Sequence, residues 1–369
     1  MESFSMPNNQ LSNATISNTI NMSAWQGRTD PEDGELGMRW HQKVLPADQA
    51  NEEGIMLLGF ACDAGVARNK GRTGAYGAPI AIRRALANLA WHHQEPVYDG
   101  GDISCDDGNL ELAQHRLGED VCLALRQKHK VIVFGGGHEM AWGTFQGIGA
   151  YLLQKQEATE SIKAPLNLSE EKTAEPNVKG TAIPTPRVGI INFDAHFDLR
   201  NPPSGPQASA GSSGTPFHQI ARFCELQHWP FNYACLGLNR GSNTQALYEK
   251  ADRLGVLYRD DTELTHRTIE QTQAALNTFI AECDYLYLTI DLDVFPACVA
   301  PGVSAPAARG VSLEIIEQLM EPILTAKTEQ GDSKLLVADL AEYNPRFDID
   351  NQTARLAARL TWTIARAIR

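Results

Sequence analysis

The sequence predicts an α/β protein built on a parallel sheet with helices on both faces. Three observations carry this. Seven short apolar runs, at 55–60, 131–137, 187–193, 233–238, 255–258, 285–290 and 335–340, lack the in–out alternation of half-exposed strands; strands buried on both faces read this way. Amphipathic helical patterns lie between many of them, and strand–helix alternation marks a parallel sheet. Polar clusters follow most of the runs, where such sheets bind ligands, beyond the carboxyl ends of their strands.

Residues 1–35 are rich in Asn, Ser and Thr, then acidic, without periodicity; they are expected to form a disordered or loosely docked tail. Residues 36–369 are expected to be one domain. IMLLGF (55–60) reads as a core strand and runs into the glycine-rich turn GVARNKGRTGAYGAP (65–79). Helical patterns follow at 78–92 and 111–129. VIVFGGG (131–137) ends in HE. The charged, proline-dotted stretch at about 156–186 reads as a surface insertion. RVGIINF (187–193) leads into DAHFDLR, and YACLGL (233–238) into NRGSNT. GVLY (255–258) is another short strand. A helix at 268–283 precedes YLYLTI (285–290), which opens into DLDVF. A helix at 312–327 precedes LLVADL (335–340), which opens into AEYNP. The last helix, 353–369, is amphipathic and basic, suited to packing on the sheet or on another subunit.

With 32 Lys and Arg against 45 Asp and Glu, the net charge of −13 argues against nucleic acid or an anionic membrane as a partner. The seven cysteines (Cys62, Cys105, Cys122, Cys224, Cys235, Cys283 and Cys298) are scattered and form no C-x-x-C pair, so reduced thiols and a cytoplasmic setting are expected. No apolar run approaches the roughly 18 residues of a membrane span, and the first basic residue, Arg28, follows no signal-peptide core.

The chemistry concentrates at strand ends. Residues two apart on extended chain point the same way, so Asp194, His196 and Asp198 can converge; Asp291 and Asp293 repeat the device, and His138 follows three glycines. Either aspartate motif alone reads equally as a polar loop or a helix cap. Together they offer four carboxylates and two imidazoles, too many for one zinc. They suit two divalent cations sharing carboxylates, and oxygen-rich mixed donors favour manganese. Two ions about 3.5–4 Å apart can activate a bridging water near neutral pH.

GGGHE (135–139), DAHFD (194–198) and TIDLDVFPACVAPGVSAPAARG (289–310) resemble the three signatures of the ureohydrolases, the arginases, agmatinases and their relatives, over roughly residues 40–369. The resemblance implies a three-layer α/β/α sandwich with a mainly parallel eight-stranded sheet, two Mn2+ per subunit and a homo-oligomer. It assigns His138, Asp194, Asp198 and Asp291 to one ion and Asp194, His196, Asp291 and Asp293 to the other. Glu342 in DLAEYNP matches the acidic residue that contacts a guanidinium or amidine.

The departures point to a branch of that family. GGGHE replaces the common G-G-D-H-S, making Gly137 and Glu139 unusual. Ser213 in SSGTPF stands where arginases and agmatinases carry a proton-shuttling histidine, and His218, five residues on, does not simply replace it. Arg200 stands where arginases carry an asparagine, and suits an extra carboxylate. The stretches at 65–79, 135–147 and 301–312 look like those of formimidoylglutamases, whose substrate is a dianionic amidine, N-formimidoyl-L-glutamate. The activity implied is hydrolysis to L-glutamate and formamide in histidine degradation. Asp293, Glu342 and His138 are expected in catalysis; Arg200, Arg72, Arg309, Ser213, Asn243 and Glu342 in substrate binding. Arg68 and Arg240 are weaker candidates, and Lys70 reads as solvated. The alternatives are a ureohydrolase releasing urea from a guanidino acid such as guanidinobutyrate, or a non-catalytic metal-binding subunit that keeps the fold.

Overall fold

The structure, a computed structural model, describes residues 16, 18, 20–163, 185–203 and 210–368. Its centre is a nine-stranded sheet in the order β1-β3-β2-β4-β9-β8-β5-β6-β7, in which every strand pairing is parallel. The strands are β1 (Leu45–Pro46), β2 (Ile55–Ala61), β3 (Val97–Ser104), β4 (Lys130–Phe134), β5 (Val188–Phe193), β6 (Asn232–Leu238), β7 (Leu257–Asp260), β8 (Tyr285–Asp291) and β9 (Leu335–Ala341). Seven of these are the apolar runs of the sequence. The expected count of eight becomes nine because two-residue β1 adds itself to the outer edge of β3.

Strand residues alternate between two cores. Ile55, Leu57, Ile132, Phe134, Ile191 and Phe193 face one; Met56, Leu58, Val131, Val133 and Ile190 face the other. Helices α3 (Ala78–Ala87), α8 (Ile269–Ala281), α9 (Leu313–Thr325) and α10 (Gln352–Ala367) cover the first face. Helices α4 (Leu110–Arg126), α5 (Met140–Lys163), α6 (Pro216–Gln227) and α7 (Gln245–Leu254) cover the second. Two short helices, α1 (Trp40–Lys43) and α2 (Ala64–Arg68), complete the set. This is the expected three-layer sandwich. The apolar side of α10 packs within the chain, against α3 and α9.

Strand β3 escapes an apolar-run reading because its sequence is VYDGGDIS. Its buried Asp99 accepts from Arg83 Nε at 2.8 Å and from Trp25 Nε1 at 2.6 Å, and Arg83 also reaches Asp102 at 2.6 Å. A buried carboxylate is tolerated when paired and hydrogen-bonded in this way. The same bonds correct the expected tail. Its described part from residue 20 is anchored, with Trp25 buried; the earlier Asn18 donates to Asp120 at 2.7 Å. Residues 1–15 lie outside the described residues. Of the expected insertion, 156–163 continue α5, and 164–184 lie outside the described residues.

All seven cysteines are unpaired. Among the described residues no helix is long and apolar enough to cross a membrane.

Candidate metal centre

Four neighbouring strands build the site. β4, β9, β8 and β5 lie side by side, and their carboxyl ends carry His138, Glu342, the Asp291–Asp293 pair and the Asp194–Asp198 motif. Ligand atoms of His138, Asp194, Asp198 and Asp291 lie within 4.8 Å of one another, as do those of Asp194, His196 and Asp293. The six sequence candidates therefore form two groups that share Asp194. Asp291 falls only in the first group, although the resemblance assigned it to both ions. Its Oδ1 instead accepts the Asp293 backbone N–H at 2.9 Å.

His138 Nδ1 faces the carboxylates of Asp194, Asp198 and Asp291 at 3.2, 3.1 and 3.2 Å, yet makes no hydrogen bond. His196 Nδ1 lies 3.1 Å from Asp293 and 3.5 Å from Asp194. Burial opposes charge on both imidazoles, but the carboxylates outweigh it and hold both well above their ordinary range. The carboxylates split. Burial, then the Asp194 charge, pushes Asp198 up to about 6. Burial, then Asp293 and Asp194, raises Asp291. Asp194 is held low, its burial overcome by His138 and His196. Four converging carboxylates resist ionising together; a divalent cation removes that conflict. A buried imidazole nitrogen with no hydrogen bond, aimed at a carboxylate cage, fits a metal ligand.

A row of buried residues supports this cage. Asn192, Thr289 and Asp339 are register partners across β5, β8 and β9. The first two lie two residues before Asp194 and Asp291 and so share their faces. Asn192 Nδ2 donates to Asp194 at 2.9 Å, and Thr289 Oγ1 meets His138 Nε2 at 2.9 Å, fixing the ring that offers Nδ1. Period-two spacing below the aspartates was the signal that could have found both.

Glu342 is gripped on both oxygens, by the His138 N–H at 2.9 Å and by Ser304 Oγ at 2.6 Å, and burial pushes it up to about 7. Glu342 and Asp198 hold left-handed backbone, at φ 62° and 48°. Strain of that kind persists only where the surroundings enforce it. Gly137 and Glu139 are coupled: a Cβ at Gly137 would lie 2.0 Å from Glu139 Oε2. Glu139 is wholly buried, and its Oε1 accepts the Gly65 N–H at 2.7 Å, tying the 62–74 loop to the end of β4.

The cationic candidates separate. Arg72 donates to Ser304 O at 3.0 Å and Val303 O at 2.6 Å and lies 4.0 Å over Phe347. It staples the 62–74 loop to the 303–304 loop. Arg309 reaches Asp261 at 3.8 Å, Arg240 pairs with Asp260 at 2.7 Å and Arg68 with Glu111 at 2.6 Å. Asn243 is turned towards the backbone. Its amide nitrogen donates to Ala195 O and Asn239 O, both at 2.9 Å, and its oxygen accepts the Phe197 N–H, so it braces the aspartate loop. Arg200 is different: exposed, and without a carboxylate partner among the described residues. Its stem lies over Gly214, where a Cβ would sit 2.9 Å from Arg200 Cδ and 3.2 Å from Asn69 Nδ2. Asn69 donates to the buried Ser213 hydroxyl at 3.1 Å. His218 accepts from Lys250 at 2.9 Å, and burial, with Lys250 adding to it, pushes it down to about 4.

Comparison with known proteins settles the lineage. The profile of the arginase family matches residues 53–366. The chain belongs to the arginase family. Within that family it is 61% identical over 358 residues to the formimidoylglutamase of Aliivibrio fischeri, covering 95% of this chain and 96% of that protein. It is 52% identical over 348 residues to the formimidoylglutamase of Vibrio cholerae, covering 93% and 94%. Among solved structures, formimidoylglutamase from Bacillus subtilis superposes with a TM-score of 0.72 at 19% identity, over 93% of this chain and 94% of that one. Trypanosoma cruzi formiminoglutamase with Mn2+2 gives 0.65 at 22%, over 86% and 95%. These likenesses show the arginase fold. Ser304, Thr289 and Asn192 join the site of this arginase-family chain without having been singled out in its sequence.

Proposed function

We propose that this chain hydrolyses N-formimidoyl-L-glutamate to L-glutamate and formamide, in the cytoplasm, with two manganese ions at the His–Asp cluster. The observation that carries the reading is Arg200. Its guanidinium, unpaired among the described residues, stands two residues beyond Asp198, a member of that cluster. A guanidinium so placed recognises a carboxylate bidentately, which a guanidine such as agmatine lacks and a glutamate derivative supplies. Identity of 61% and 52% to proteins named formimidoylglutamase supports the same substrate.

His138, Asp194, Asp198 and Asp291 would hold one ion, and Asp194, His196 and Asp293 the other. The oxygen-rich donor set suits manganese. When bound, the pair supplies activation of water near neutral pH.

The chain's own residues do the rest. Arg200 receives the glutamate end, with Ser213 and Asn69 beside it, and so places the formimidoyl carbon over the cluster. Glu342, fixed by Ser304 and the His138 N–H, orients the cationic amidine. Asp293 takes the proton of the attacking water. It returns that proton to the departing glutamate nitrogen, a task the Ser213 hydroxyl, unlike an imidazole, does not perform near neutral pH. The C–N bond to glutamate breaks and formamide leaves.

The test is a substrate panel on the manganese-loaded protein: N-formimidoyl-L-glutamate, guanidinobutyrate, agmatine and arginine. Glutamate plus formamide from the first, and no urea from the others, is the expected result. Urea from a guanidino acid would keep the metal centre and overturn the proposed substrate and the reading of Ser213.

A further inference from the structure

We propose that Lys250 is a positioning residue for Arg200 and through it sets the affinity for a carboxylate-bearing substrate. The proposal rests on the reading that Arg200 receives the glutamate end. Lys250 lies on α7, outside the metal cluster, and its ammonium donates to Leu199 O at 2.6 Å, Asn201 Oδ1 at 2.7 Å and His218 Nδ1 at 2.9 Å. Those three bonds use every hydrogen the ammonium has. Two of the three acceptors belong to the residues on either side of Arg200.

The clamp is completed from below. The Arg200 N–H donates to Gly214 O at 3.0 Å, and the bare Gly214 lets the arginine stem lie flat on the loop. The chain around an exposed, unpaired arginine is thus held through backbone at Leu199 and Arg200 and through the side chain of Asn201. Such a side chain otherwise loses much rotamer freedom when it binds an anion, and fixing its base in advance reduces that cost. His218 has its role here, orienting Lys250 from the first turns of α6.

The experiment is a double-mutant cycle on manganese-loaded protein, comparing wild type, Lys250→Met, Lys250→Arg, Arg200→Met and the Lys250→Met/Arg200→Met pair. L-Glutamate binding is measured by calorimetry, and KM and kcat with N-formimidoyl-L-glutamate. Lys250→Met should raise Kd and KM about tenfold and leave kcat within about twofold. Manganese content and melting temperature should hold. Lys250→Arg, which keeps the cation and guards against a folding failure, should fall between wild type and Lys250→Met. The pair should bind no more weakly than Arg200→Met alone, because Lys250 acts through Arg200.

Additive effects in the pair, or an unchanged Kd in Lys250→Met, overturn the proposal. So does a loss of kcat, metal and melting temperature together, which is what a merely structural clamp would show. Wild-type protein that binds L-glutamate with this coupling but leaves N-formimidoyl-L-glutamate uncleaved would refute the proposed activity and keep the positioning role. No L-glutamate binding by wild type would overturn the positioning role itself.

Discussion

Asp293 is the residue on which the chemistry turns. Its backbone N–H is tied to Asp291 and its Oδ1 receives the Ala195 N–H at 3.3 Å, so Oδ2 is the oxygen left facing His196. Asp293→Asn preserves the shape but removes the proton acceptor. Turnover should fall by about a thousandfold, with circular dichroism and melting temperature close to wild type; a wild-type kcat would reject the role. At this scale the sequence was informative where function demands a spacing. Asp194, His196, Asp198, Asp291 and Asp293 announce themselves by period-two repetition after apolar runs. The bonding of Arg72 and Asn243 was not legible at this scale, for a common reason. Composition and loop position say that a polar side chain lies near a site, but not whether neighbouring carbonyls and carboxylates already occupy its donors. Those partners come from Val303 and Ala195, far away in the chain.

The same limit governs the elements. Seven strands were legible because burial on both faces forces continuous apolar sequence. Strand β3 was not, because Asp99 and Asp102 are neutralised by Arg83 on α3, a partner no local pattern reveals. The segment around Trp25 was misread in the same way. Its polar composition resembles a tail, but one buried indole pins it to β3. Trp25→Ala should therefore cost about 3 kcal/mol in urea unfolding, whereas an exposed tail residue would cost almost nothing. A second consequence concerns acid. His93 packs between Trp40 and Trp91, 4.9 Å from each ring. Burial, then the charges of Arg366 and His92, pushes it from 6.5 down to about 4. Between those values the unfolded chain binds the proton that the folded one refuses. The stability contribution is thus present above pH 6.5 and lost as pH falls through about 4. Urea midpoints should drop across that window, and His93→Phe should flatten the drop.

At the scale of the whole molecule, the sheet's two halves meet where β4, β9, β8 and β5 end together. The four strands come from distant parts of the chain, and each delivers acidic or imidazole groups to one buried place. With no cation there, Asp198 and Asp291 are pushed towards protonation by burial and by their neighbours, so the fold carries a built-in electrostatic cost at its centre. An ion that binds the folded form alone converts that cost into stabilisation by mass action, about 2.7 kcal/mol at a hundredfold excess over its dissociation constant. Chelation with EDTA should therefore lower the melting temperature by several degrees, and added manganese should restore it in a concentration-dependent way. Because Asp194 belongs to both ligand groups, Asp194→Asn should abolish the manganese response altogether, while Asp198→Asn, confined to one group, should leave part of it. A melting temperature indifferent to manganese in the wild type would mean that the six residues converge for some purpose other than holding ions. An Asp198→Asn response as small as that of Asp194→Asn would mean that the two groups act as a single site.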